Sequence, residues 1–184
     1  MRKNHPSVLR GVVTGVAAGL AATLIMDQFQ KLTAAGQKAT EKQIKLAHGD
    51  SPLRIEHEQE QKAKHAAEQE GSTEIVARKI AAVAGSQLAK EDKKKAGQVV
   101  HYVFGTLMGV VYAVSVELLP GITGSGAAFG TLLFLGADEV AVPAFQLSPP
   151  PTDKAPTDHL QHWAAHIVYG GSLELVRSLV RRIL

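Results

Sequence analysis

Cysteine is absent from the 184-residue chain, which excludes a disulfide framework and any thiolate metal centre. Aromatic residues make up only 5%, too few for the stacking platforms of single-stranded nucleic-acid binders. Excess charge is small as well: 20 Lys and Arg against 17 Asp and Glu leave +3, far from the basic footprint of phosphate recognition. Nucleic acid is therefore not an expected partner. No P-loop, G-x-G-x-x-G, H-E-x-x-H or G-x-S-x-G occurs. With no recognisable activated nucleophile, hydrolysis is the weakest functional reading, and no motif implies a cofactor.

The most informative absence is local. No Lys or Arg lies between Arg10 and Lys31, between Lys95 and Lys154, or between Lys154 and Arg177, gaps of 20, 58 and 22 residues. The mean hydropathy of +0.01 hides this pattern. A soluble helix carries Lys and Arg on its wet face, whereas about 20 residues without them suit the crossing of ~30 Å of hydrocarbon. The expected fold is all-α: one membrane domain over residues 1–184, a bundle of four transmembrane helices at about 8–29, 99–119, 126–147 and 159–180. Leu119-Pro120-Gly121 makes the turn within the long gap. The alternatives are buried core helices of a soluble protein and, for the first segment alone, a cleaved signal peptide with Arg2, Lys3 and Arg10 as its basic region.

Lipid supplies no hydrophobic force between helices, so close backbone approach at small residues has to hold a bundle together. Each predicted span has such residues: Gly11, Gly15 and Gly19 in the first, Gly105 and Gly109 in the second, Gly126 and Gly130 in the third, Gly170 in the fourth. Packing within one chain is expected, with dimerisation through the first span as the alternative.

Residues 31–98 form a polar segment too long for a turn. Its middle, Glu56 to Glu70, reads as a solvated helix or a disordered stretch. Ile75, Val76, Ile80, Val83, Ala84 and Leu88 follow helical spacing and predict an amphipathic helix at about 73–90, on the membrane surface or against the bundle, with Lys90, Lys93, Lys94 and Lys95 at the headgroups. The segment is also the natural place for a protein partner or a second copy of the chain to bind.

Acids and histidines inside membrane spans mark function or paired structural sites. Alternating span directions and a rise of ~1.5 Å per residue sort them into two groups. On the side bearing the polar segment lie Asp27, His101, Asp138, Glu139, His162 and His166. Asp27 ends its span, His101 begins its own, and Asp138 and Glu139 lie roughly 13–15 Å inside the third. Glu117, Glu174 and Arg177 fall on the other side, where Glu174 and Arg177 pair at i,i+3. The first group has no Lys or Arg. Its acids are then protonated, hydrogen-bonded to His, hydrated or cation-bound. A hydrogen-bonded network, proton or pH sensing, and a metal site using His162, His166, Asp138 and Glu139 are the open readings. Trp163 and Tyr102 fit an interfacial aromatic belt, and Pro143 kinks or ends the third span.

Three stretches carry a family resemblance: GVAAGLAATLIMDQ at 15–28, GQVVHYVFGTLMGVVY at 97–112, and FGTLLFLGADEVAVP at 129–143 joined to AAHIVYG at 164–170 and ELVR at 174–177. With HY-x-FG, GADE-x-x-VP and AAH-x-VYG in combination, the chain resembles the YagU-like family of bacterial inner-membrane proteins. That resemblance implies a small multi-pass inner-membrane protein and no particular activity. Its motif residues Asp27, His101, Asp138, Glu139 and His166 fall in the first polar group. Basic residues at both chain ends favour cytoplasmic termini.

Overall fold

A computed structural model describes residues 7–183, so Arg2 and Lys3 lie outside the described residues. No strand occurs among the described residues. Helix α1 runs over Val8–Ala47, α2 over Pro52–Glu68, α3 over Ser72–Val83 and α4 over Lys90–Leu118. A continuous rod, α5, covers Gly126–Ala144. Its centre, Phe134–Ala141, is wound as a π-helix between α-helical ends. Helix α6 covers Pro156–Ile183. Ser7 caps α1 through the Arg10 amide, and Ser51 with Pro52 starts α2, as the unpaired first-turn amides of a helix require.

Three rods, α1, α4 and α5, are long and apolar enough to cross a membrane. Helix α6 falls outside that set; it carries His159, His162, His166, Glu174, Arg177, Arg181 and Arg182. The burial pattern inverts that of a water-soluble protein. Val16, Leu20 and Leu24 of α1 and Val103, Leu107 and Val111 of α4 are exposed. The interior holds Ala18, Ala22, Ala165, Thr14, Thr23, His166 and Arg177 around Met26, Tyr112, Tyr169 and Leu173. Water-soluble monomers rarely leave contiguous apolar faces of this extent uncovered, so the architecture has the make-up of a membrane protein.

Helix α1 is central, packing on α4 along one face and on α6 along another, and α5 packs on α6. Glycine permits both of the tight seams. A Cβ at Gly15 would stand 2.5 Å from the Val110 Cα, and one at Gly109 2.6 Å from the Gly19 Cα. Gly11 faces Val114, Gly19 faces Thr106, and Gly105 faces Thr23. Between α5 and α6, Gly126 and Gly130 meet the backbone of Gly170 and His166. The glycines of the first span thus face α4 of the same chain.

Several predicted boundaries need correction. Helix α1 continues to Ala47 instead of ending near 29, because residues 31–47 are mostly good helix formers that carry the helix through Gly36, and the left-handed turn comes only at Gly49 (φ 88°). Ion pairs Lys45–Glu58 and Lys62–Glu41 fold α2 back along it. Lys62 and Lys45 hold the Glu41 carboxyl below its ordinary value. Helix α3 ends at Val83, not 90, because Gly85 (φ 72°) lets the Ser86 amide donate to the Ala81 carbonyl. The lysines from 90 onward open α4, which starts nine residues before position 99 and leaves His101 well inside its helix. Helix α3 packs against α4: Ala77 is buried and Glu74 lies over Gly97, while Ile80 and Val83 stay exposed. Helix α5 stops at Ala144, short of 147, where Gln146 (φ 55°) closes the turn and the Leu147 amide donates to the Val142 carbonyl. That brings Asp138 to about 9 Å from the helix end instead of 13–15 Å.

Candidate functional site

The two seams leave a half-open cleft of about 780 Å³ on the side bearing α2 and α3. Asp27 reaches it from α1, His101 from α4, Asp138 from the π-segment of α5, and His162 and His166 from α6. Five of the six residues assigned to the first polar group from sequence therefore line one space. Ser72, Thr73 and Val76 of α3 cover part of it, and Met26, Phe104, Leu133 and Val142 supply apolar wall.

Local winding sets these positions. Pro143 has no amide proton to donate back into the helix, and the turns before it take the wider π-register, a form frequent at functional sites. Adjacent acids diverge as a result. Asp138 Oδ2 lies 3.4 Å from His162 Nδ1 and 3.9 Å from His166 Nδ1. Glu139 turns to His159 instead, with Oε1 2.9 Å from Nδ1, and takes no part in the cleft lining. The His162, His166, Asp138, Glu139 ligand set is thus not assembled, and no three His, Asp or Glu side chains among the described residues converge as metal ligands.

Hydrogen bonding fixes several protons. His166, 7% exposed, donates from Nδ1 to the His162 carbonyl at 2.9 Å. Its neutral form therefore keeps Nε2 as an acceptor. Asp27 accepts from the Tyr102 hydroxyl at 2.9 Å and the Gln98 amide at 3.3 Å. His101 Nε2 stands 3.4 Å from the other Asp27 oxygen without hydrogen-bond geometry, buried and with no hydrogen-bond partner. Tyr102 thus serves Asp27. His159 is the most constrained: Nδ1 faces Glu139 and Nε2 lies 3.0 Å from the Pro151 carbonyl. A neutral imidazole donates from one nitrogen only. A neutral His159 ring therefore donates along one of these two contacts at a time.

Sequence reasoning missed His159, although it precedes His162 by three and His166 by seven, the spacing of one helical face. It also excluded basic side chains from this group. The structure places Lys31, exposed, in the cleft lining, and Lys154 within electrostatic reach of Asp138.

The second polar group is an ion-pair network. Arg177, 3% exposed, donates twice to Glu174, each bond 2.8 Å. Glu174 also accepts from the Tyr112 hydroxyl and the Gly124 amide. Glu117 pairs with Arg181 and not with Arg177. Trp163 donates to Thr131 across α5 and α6, and Tyr169 donates to the Gly105 carbonyl across α6 and α4.

These features define a helical bundle with the make-up of a membrane protein, tight at glycine seams and open at one acid- and histidine-lined cleft. Residues 59–175, more than half of the chain, match the family described as "Protein of unknown function (DUF1440)", and the chain belongs to that family. The matched region contains His101, Asp138, His159, His162 and His166 and leaves Asp27 outside. No curated protein and no solved structure matches the chain.

Proposed function

We propose that this is a four-pass protein of the bacterial inner membrane, with both termini cytoplasmic, whose cleft holds and releases protons and changes conformation or stability as it does so. The carrying observation is Asp138 shared between His162 and His166 in the same cleft as the Asp27–His101 pair. Imidazole is the side chain whose ordinary titration falls near physiological pH.

Helix α6 serves as the fourth pass in this reading. It packs along α1 and α5, and its Glu174, Arg177 and Arg181 charges are neutralised by pairing. An even number of passes then puts both ends on one side, where basic residues at both ends favour the cytoplasm. The glycine seams provide the intramembrane packing.

The test is thermal unfolding of the detergent-purified chain across about pH 5 to pH 8, the range in which imidazoles titrate. A protonated imidazole beside Asp138 is charge-paired, so the midpoint should fall as pH rises through that range. His166→Ala and Asp138→Asn should each flatten the response. An unchanged response in both variants would remove proton handling by this cleft.

A further inference from the structure

We propose that the cleft is a binding site for an apolar organic cation, with Asp27 and Asp138 supplying counter-charge from separate walls. The inference rests on the proton-holding reading in one respect: when the imidazoles are neutral, the two carboxylates face the cleft without a histidine counter-charge, and Lys31 and Lys154 are the cations that remain near them.

Size and lining come first. A volume of about 780 Å³ falls in the range that encloses a small organic ligand. The walls combine apolar side chains such as Met26, Phe104 and Leu133 with a few polar groups, the usual composition of such sites.

Charge decides the sign of the ligand. The ionisable groups facing the cleft are Asp27 and Lys31 from α1, His101 from α4, Asp138 from α5, and His162, His166 and Tyr169 from α6, while α3 contributes none. Lys154 acts on Asp138 from the loop before α6. Lys31 is exposed, so water screens its charge, whereas the Asp27 and Asp138 side chains are only 12% and 25% exposed. Neutral His166 adds an acceptor from a side chain that is nine-tenths buried, with no hydrogen bond to Nε2 among the described residues.

Spacing decides the kind of cation. Divalent metals need several ligands converging on one point, and the described residues offer no group of three. Carboxylates on separate helices with apolar wall between them suit a larger ion with diffuse charge and an apolar body.

Tetraphenylphosphonium and tetraphenylborate share size and shape and differ in charge sign, so equilibrium dialysis of both against the detergent-purified full chain tests the proposal. Expected at about pH 8, above the ordinary imidazole range, is saturable binding of one tetraphenylphosphonium per chain and no saturable binding of tetraphenylborate. Asp138→Asn and Asp27→Asn should each weaken the cation at least about tenfold, as loss of one nearby charge demands. Asp153→Asn, on the exposed turn before α6, should leave it unchanged. Lowering the pH to about 5 should weaken binding as the imidazoles charge. Unfolding followed by Trp163 fluorescence confirms that each variant is folded; if Asp27→Asn is not, Asp138→Asn decides. Equal binding of the two ions, or cation binding indifferent to the Asn variants, overturns the proposal. Absent cation binding with the pH-dependent unfolding intact overturns it alone and leaves the proton reading standing.

Discussion

Substituting alanine at Gly130 and at Gly171 should change stability in opposite directions. A Cβ at Gly130 would stand 2.0 Å from the His166 carbonyl oxygen and 2.8 Å from its carbon, whereas a Cβ at Gly171 meets nothing within 4 Å. Ordinary carbon–oxygen contact begins near about 3.3 Å, so α5 and α6 would have to part by roughly 1.3 Å (3.3 − 2.0). Backbone obstructs the methyl group, so no rotamer change relieves it. Overpacking costs about 1–3 kcal/mol, and an immovable neighbour puts this case at the upper end. Alanine recovers up to about 1 kcal/mol of helix propensity over glycine at either site. The net expectation is a loss of roughly 2 kcal/mol for Gly130→Ala and a gain of up to about 1 kcal/mol for Gly171→Ala. For a chain of this size that separates the two unfolding midpoints by about 6–12 °C. Trp163 is the sole tryptophan and donates to Thr131 across the same seam, so its fluorescence reads the event. If Gly130→Ala melts at or above Gly171→Ala, the α5–α6 seam is not where glycine is needed.

Two further outcomes follow from the ion pairs. Arg181→Met leaves Glu117, whose side chain is 1% exposed, without its partner. Thermal unfolding should report a loss of about 3–5 kcal/mol, and the added Glu117→Gln change should recover most of it. At the α3–α4 corner, Lys93 and then Arg78 hold the Glu70 carboxyl below its ordinary value of 4.5. A carboxyl lowered on folding contributes stability that is present above the ordinary value and lost as pH falls through the lowered one. Carboxyl carbon NMR should therefore find Glu70 titrating below 4.5. The Lys93→Met, Arg78→Gln pair should return it to the ordinary range, and an unshifted Glu70 in the parent chain would remove the corner's ion pairing.

What was legible in the sequence was long-range and statistical. Absence of Lys and Arg locates apolar helices because a charge that lipid excludes leaves a visible gap. Glycines four apart locate close approaches because no other residue tolerates a Cα at that distance. The grouping of Asp27, His101, Asp138, His162 and His166 needed only alternating helix directions and a constant rise. What failed was local. Residues 31–47 are too polar to belong to a span, yet the end of an apolar run does not end a helix. The π-register cannot be read from composition, and it sends Glu139 to His159 while Asp138 stays in the cleft. The partner of Glu117 was hidden because Arg181 lies a full turn beyond Arg177, the residue that local i,i+3 reasoning assigns to Glu174.

The same few residues explain why the bundle is tight in one half and open in the other. From Gly126 to Gly130 the α5 backbone touches α6 directly, at Gly170 and His166. Past Leu133 the rod turns π-helical, and Gly136 has nothing within 4 Å of where its Cβ would be. The cleft begins at Leu133 and continues through Ala137, Asp138, Ala141 and Val142. A tight glycine seam and a wide π-turn in one rod thus place Asp138 where the α5 and α6 backbones no longer touch, leaving room for the His162 and His166 imidazoles beside it. His166 sits at the junction: its carbonyl is the atom Gly130 packs on, and its ring reaches toward Asp138. Any change in the His166–Asp138 contact therefore bears on the last point at which α5 and α6 are locked, and that is where protonation in the cleft would be felt by the fold.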